Sequence, residues 1–158
     1  MFIALFLHAI FSHAQESNEQ FISKTFKEIN RTDQSNLRNH VVRDSLILIN
    51  FELIQSLLKD SVNLNSEQSF SKRTTKRLHL GLAMTFIHIG QNHPDLILND
   101  ETSAFIAEQI NQGRLNRKEL KIALHAYMVD VENDRWSESN SDYYREKIAG
   151  VKTKWGIE

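Results

Sequence analysis

The chain has 158 residues, 41% of them apolar and 25% charged, with 19 basic against 20 acidic side chains, five Gly, one Pro and no Cys. These figures fit one soluble domain. The lack of cysteine excludes a disulfide framework, a thiolate metal site and a cysteine nucleophile, and the near-balanced charge argues against a nucleic-acid footprint.

Residues 1–14 stand apart, because eleven of the fourteen are apolar and none is charged, whereas the other 144 carry all 39 acidic and basic groups. The apolar run is the length of a signal-peptide core and too short to span a bilayer. Ser12-His13-Ala14 places small residues where signal peptidase cuts, so the segment reads as a signal peptide removed before Gln15, although no Lys or Arg precedes the core. No Cys follows for a lipid anchor, and the remaining chain, residues 15–158, is expected to be one helical domain with no stable membrane anchor, periplasmic or secreted.

Beyond the leader the apolar period is helical almost throughout. Phe21, Ile22, Phe26 and Ile29 mark a first helix over about 16–31, followed by a turn over 32–36. The segment from about 36 to 59 carries two stripes, Leu37, Val41, Leu48, Phe51 and Leu58 on one side and Val42, Leu46, Ile49, Leu53 and Leu57 on the other. A helix apolar on both sides needs cover on both, which predicts that this one is central. Asp60 to Ser69 is polar and turn-forming. A third helix over 71–89 puts Thr74, Leu78, Leu82, Thr85, Phe86 and Ile89 on one face and ends at Gly90, suited to a left-handed cap. Pro94 starts a new helix, Asp100 to Gln112 carries Phe105, Ile106 and Ile110 in the same or a further one, and Gly113 closes it. Asn116 with Glu119 resembles a capping box opening a helix with Leu120, Ala123, Leu124, Tyr127, Met128 and Val131. A last short helix ends at Gly150. The expected fold is all-α, a single compact bundle of five or six helices around a buried central one.

Several constellations are candidates for chemistry. His40 and Asp44 lie four apart on one helix face, and Asp44 falls within an apolar stripe, where a carboxylate needs a partner or a shifted pKa. The plain alternative is a carboxylate paired with His40 or Arg43 at the rim of the core. His79 and His88 are nine residues apart and point to opposite sides of a helix, so they cannot share an ion. His88 and His93 could meet only if the loop at Pro94 folded back, and the three read as two surface histidines and one helix-capping one. Asp130, Glu132 and Asp134 alternate like a calcium loop, but Arg135 stands where the loop needs Gly and Ser141 where it needs Glu, which leaves a solvated acidic helix end. Lys72, Arg73, Lys76 and Arg77 form a basic helix start, either a binding patch or a solvated face. No nucleophile elbow, phosphate-binding glycine loop or dinucleotide fingerprint occurs, and no metal or cofactor is implied. Asn30-Arg31-Thr32 is a glycosylation sequon of eukaryotic secretion. Asp44-Ser45-Leu46 and Asp60-Ser61-Val62 resemble the O-glycosylation triplet of exported Bacteroidota proteins; the first is expected on the central helix and inaccessible, and Ser61 accessible in a polar loop.

Arg31-Thr32-Asp33-Gln34 with Arg38 nearby, the helix bearing Asp44, the middle helix ending Phe86-Ile87-His88, and Asp134-Arg135 late in the chain together resemble an uncharacterised bacterial domain family. Its pattern is Asp-Gln then Arg, Gln-His, and Asp-Arg before Tyr-Gly-Thr. Ile87 replaces the Gln, and no Tyr-Gly-Thr follows Asp134-Arg135. The resemblance implies an exported helical domain of no assigned reaction, and carries over Asp33, Gln34, Arg38, His88, Asp134 and Arg135 as polar signature positions.

Two functions from different classes follow. One is an exported bacterial interaction or binding module with an unknown protein or small-molecule partner and no nucleic acid, for which Asp33, Gln34, Arg38, Asp134 and Arg135 are candidate contacts. The other is a small hydrolase-like enzyme with Asp44, His88 and His40 as candidate catalytic residues. Asp44 and His88 in a common pocket would favour the enzyme, and a filled apolar core the binding module.

Overall fold

The computed structural model describes residues 18–35, 40–67, 70–133, 135 and 141–158, and all regular structure among them is helical. Seven helices follow in order: α1 (Asn18–Ser35), α2 (His40–Lys59), α3 (Lys72–Asn92), α4 (Pro94–Leu98), α5 (Asp100–Asn111), α6 (Arg117–Glu132) and α7 (Ser141–Trp155). Among the described residues the architecture is the expected all-helical bundle, with seven helices where five or six were expected; Asn99 divides the segment after Pro94 and caps α5 by accepting from Thr102 N. The expected leader, residues 1–14, lies outside the described residues.

The central helix is α3, which packs against α1, α2, α4 and α6. This corrects the expectation for the 36–59 segment. On α2 one side is buried, with Ile47, Phe51, Ile54, Leu57 and Leu58 in the core; of the first stripe Leu48 is half-buried, and of the second Leu57 is buried while Ile49 is 39% exposed and Leu46 and Leu53 are half-buried. Apolar periodicity records what a helix could bury, while the number of neighbours decides what it does bury. The face forecast for α3 is buried throughout.

Side-chain contacts fix the helix directions. Glu19 Oε1 accepts from Ser71 N, Arg77 donates to Ser23 Oγ, and Phe26 packs on Gly81, so α1 and α3 run parallel. Glu119 meets His79 and Tyr127 meets Phe86, so α6 is parallel to α3 as well. Asp44 meets His93 while Phe51 stacks edge-on to Phe86, which makes α2 antiparallel to α3. Tyr144 near Asp95 and Trp155 near Arg117 set α7 antiparallel to α6.

Two glycines expected to end helices are inside them. Gly90 is helical, and α3 continues to Asn92 with His93 as its cap. The residue is small because the Tyr127 ring lies where a Cβ would be, and the Tyr127 hydroxyl donates to the Phe86 carbonyl. Gly150 is likewise within α7, which ends at Trp155 and is closed by Gly156. The left-handed caps are Gly113, Gly156 and the non-glycine Ser61, with φ of 70°, 63° and 63°. Each closes a Schellman motif: Arg114 N donates to Gln109 O, Ile157 N to Lys152 O and Val62 N to Leu57 O.

The polar 60–67 segment is turn structure as expected, yet it is anchored. Leu64 is buried and donates its N–H to Arg114 O, while Arg114 Nη1 reaches back to the Leu58 carbonyl at the end of α2. A cation there completes carbonyls that the helix leaves open.

Candidate binding face and the histidine–carboxylate pairs

Asp44 finds a partner outside its own helix, while the side chains of His40 and Arg43, the partners expected close in sequence, lie outside the described residues. His93, at the junction of α3 and α4, meets Asp44 Oδ1 through Nε2 at 2.7 Å. The side chains are 28% and 46% exposed, so the pair sits in water at one end of the bundle and Asp44 is not desolvated. His88 is buried, five residues before His93 and about 140° around the helix from it, so Asp44 and His88 are not joined into one site. His88 is thereby corrected from a surface histidine to an interior one. The side chains of His40, Asp33 and Gln34 lie outside the described residues, as do Arg38 and Asp134 altogether. Arg135 is described, and its Nη1 donates to Asp130 Oδ1 at 2.7 Å. Asp130 itself is buried, not part of a solvated acidic end, and its second oxygen has no hydrogen-bond partner.

A second histidine–carboxylate pair escapes sequence reading. Glu119, in the first turn of α6, does not close a capping box. Asn116 caps the helix by accepting from Lys118 N, whereas Glu119 turns inward, 1% exposed. Its Oε1 accepts from Ser66 Oγ and from His79 Nδ1, the latter at 2.8 Å, and its Oε2 has no partner. With Nδ1 directed at the carboxylate, Nε2 is the ring nitrogen of His79 turned to other groups. The geometry is not that of a nucleophilic serine. In such a relay the histidine stands between hydroxyl and acid, but here the acid stands between Ser66 and His79. The signal for this cluster was a carboxylate on the apolar side of α6, one residue before Leu120, and the capping-box resemblance concealed it. Among the described residues, no three His, Asp or Glu side chains converge in a metal-binding group.

The other grouping is a surface. Arg77 and Gly81 face α1, and His79, Phe86 and Gly90 face α6; between these, on the outward arc of α3, lie Leu80, Met84 and Ile87. Leu80 is 42% exposed and the other two are half-buried. On α6, Ile122 is 40% exposed, with half-buried Ala126 and Val129 on the same flank. Both sets have i, i+4, i+7 spacing. Because the two helices are parallel and in register, the sets form the walls of one outer groove, with Ala83 at its floor. At the end of the groove where both helices begin, Lys72, Arg73, Lys76, Arg117, Lys118 and Lys121 are exposed. The α3 sequence contains no acid, and of the three acids on α6 two are buried.

Asn30 of the sequon donates its Nδ2 to the Arg77 carbonyl at 3.0 Å, which occupies the nitrogen that would carry a glycan. Ser61 is exposed. A shallow recess of about 380 Å³ beside α5 and α7, lined by Leu98, Asp100, Tyr143, Lys147 and Lys154 among others, includes none of the expected site residues. No described helix is long and apolar enough to cross a membrane. Comparison with known protein families, with curated proteins and with solved structures yields no match in any of the three.

Proposed function

We propose that the protein is an exported bacterial interaction module that binds through the outer groove between α3 and α6. The observation that carries this reading is the pair of in-register apolar stripes, left partly in water beside a core that is otherwise closed over Leu78, Leu82, Phe86 and Ile89. Solvent-facing apolar residues in contiguous stripes, rimmed by charge, mark contact surfaces. Export rests on the uncharged apolar start, Met1 to Ala14, and its small residues before Gln15. The test is to isolate the native protein from its own cells, read its N-terminus and cross-link it in place. A terminus at Gln15 in the exported fraction, with a stoichiometric protein partner, is the expected result. A cytosolic protein starting at Met1, alone at every concentration, would overturn it.

A second reading, a small hydrolase acting through a carboxylate and a histidine, is favoured by the buried Glu119 that orients His79. It requires hydrolysis of an ester or phosphoester that His79→Ala abolishes while the thermal melt remains cooperative.

A further inference from the structure

We infer that the α3–α6 groove receives an amphipathic helix bearing acidic residues, contributed by another protein. This rests on the proposal that the groove is a contact face and names its occupant. Three features lead to the occupant. The walls repeat at i, i+4, i+7, with Leu80, Met84 and Ile87 facing Ile122, Ala126 and Val129, which is the spacing an inserted helix presents in return. The partly exposed residues run along the seam between two parallel helices, which offers an added helix a line of contact along its own axis. The charge is one-sided: Lys72, Arg73 and Lys76 on α3 and Lys118 and Lys121 on α6 are exposed at one end, while Arg117 turns to the Trp155 carbonyl of α7, and the N-termini of both helices add partial positive charge.

Among the described residues, bases outnumber acids at this end: Glu19 accepts from Ser71 N, Glu28 pairs with Arg31 and Glu119 is buried, while Glu67, beside Ser66, and Glu158, beyond Gly156, are exposed nearby and Glu132 is at the far end of α6. The occupant therefore places apolar residues along the seam and its Asp or Glu residues over the shared start of α3 and α6. The exposed side of α2, with Ile49 between Leu46 and Leu53, shows no comparable charge asymmetry among the described residues and serves as the control surface.

The probe is a designed, fluorophore-labelled helix of about 18 residues with leucines on one face and glutamates flanking them, beside a copy with lysine for glutamate. Anisotropy with the full chain is expected to show binding of the acidic peptide that weakens as ionic strength rises, and little binding of the lysine copy. Leu80→Glu and Ile122→Glu should each weaken it by about tenfold or more, as for a central contact residue. Lys76→Glu and Lys118→Glu should weaken it less and flatten its salt dependence, and Ile49→Glu should leave it unchanged. All five residues are exposed, so the fold is expected to survive each change.

In parallel, a photo-cross-linker in place of Ile122, in the native cell, should join the groove to a second polypeptide at an acidic, helix-patterned segment. A cross-link into residues 1–17 of the same chain, a cross-link between two copies, or sedimentation with phosphatidylglycerol vesicles without peptide binding would each overturn the assignment. So would peptide binding indifferent to Leu80→Glu and Ile122→Glu. A partner captured from a cross-linker at Ile49 instead would refute this occupant while leaving the interaction reading in place.

Discussion

Ser61 keeps a positive φ of 63° that glycine adopts without a Cβ penalty. Being exposed, with its motif made by backbone atoms, Ser61→Gly should raise stability by about 0.5–1 kcal/mol, read as a higher melting temperature. Gly90 is the opposite case. Its Cβ would overlap the Tyr127 ring, which is buried and fixed through the Phe86 carbonyl, so Gly90→Ala should cost about 3 kcal/mol. Tyr127→Leu should recover part of that loss, because it removes the atoms in the way. Burial also pushes the Tyr127 hydroxyl well above the usual tyrosine range, so it stays protonated in the fold. Asp44→Asn should shift stability by less than about 1 kcal/mol, since the His93 contact is solvent-exposed. Asp44 looked special in sequence because it interrupts an apolar stripe. Such a stripe gives an angular position and not a depth, and near the first turn of α2 that angle points to water.

At the scale of elements, what was legible was whatever lies within one helix. The apolar face of α3, the cap at Asn116, the helix start at Pro94 and the stop at Gly113 follow from local spacing and backbone chemistry. Contacts between helices did not: His79 and Glu119 are 40 residues apart, and nothing in either segment announces the other. The same limit made α2 look central in place of α3. Leu82→Ala on α3 should therefore cost about 2–5 kcal/mol in chemical denaturation, whereas Leu53→Ala on the half-buried side of α2 should cost clearly less. Glu119→Ala should cost about 3 kcal/mol or more, because Ser66 and His79 lose their shared acceptor. The tie between α1 and α3 responds to pH. Hydrogen bonds from Ser71 hold the Glu19 carboxyl below the usual glutamate range. A lowered folded-state value stabilises above that range and is lost as pH falls through it. Glu19→Gln should accordingly flatten the fall of melting temperature with acid and leave the neutral-pH slope unchanged.

For the whole molecule, composition was enough to give the class. A chain with one Pro, few strand signals and 3.6-residue periodicity has to bury its apolar stripes helix against helix. The groove was legible only in part, since the basic start of α3 was visible but not that α6 brings a second basic start alongside it. That depends on the two helices being parallel, and the parallel arrangement also governs the time course of folding. Neighbouring helices that run the same way cannot be joined by a tight turn. The chain must pass through α2 before α3 can cover α1, and through α4 and α5 before α6 can cover α3. For an all-helical protein this gives unusually long-range contacts, so loop closure comes before most of the reward and folding should be slower than in an up-and-down bundle. During synthesis, Ile22, Phe26 and Ile29 leave the ribosome long before Gly81 arrives to receive them. For that interval the first helix has only α2 to cover its apolar face.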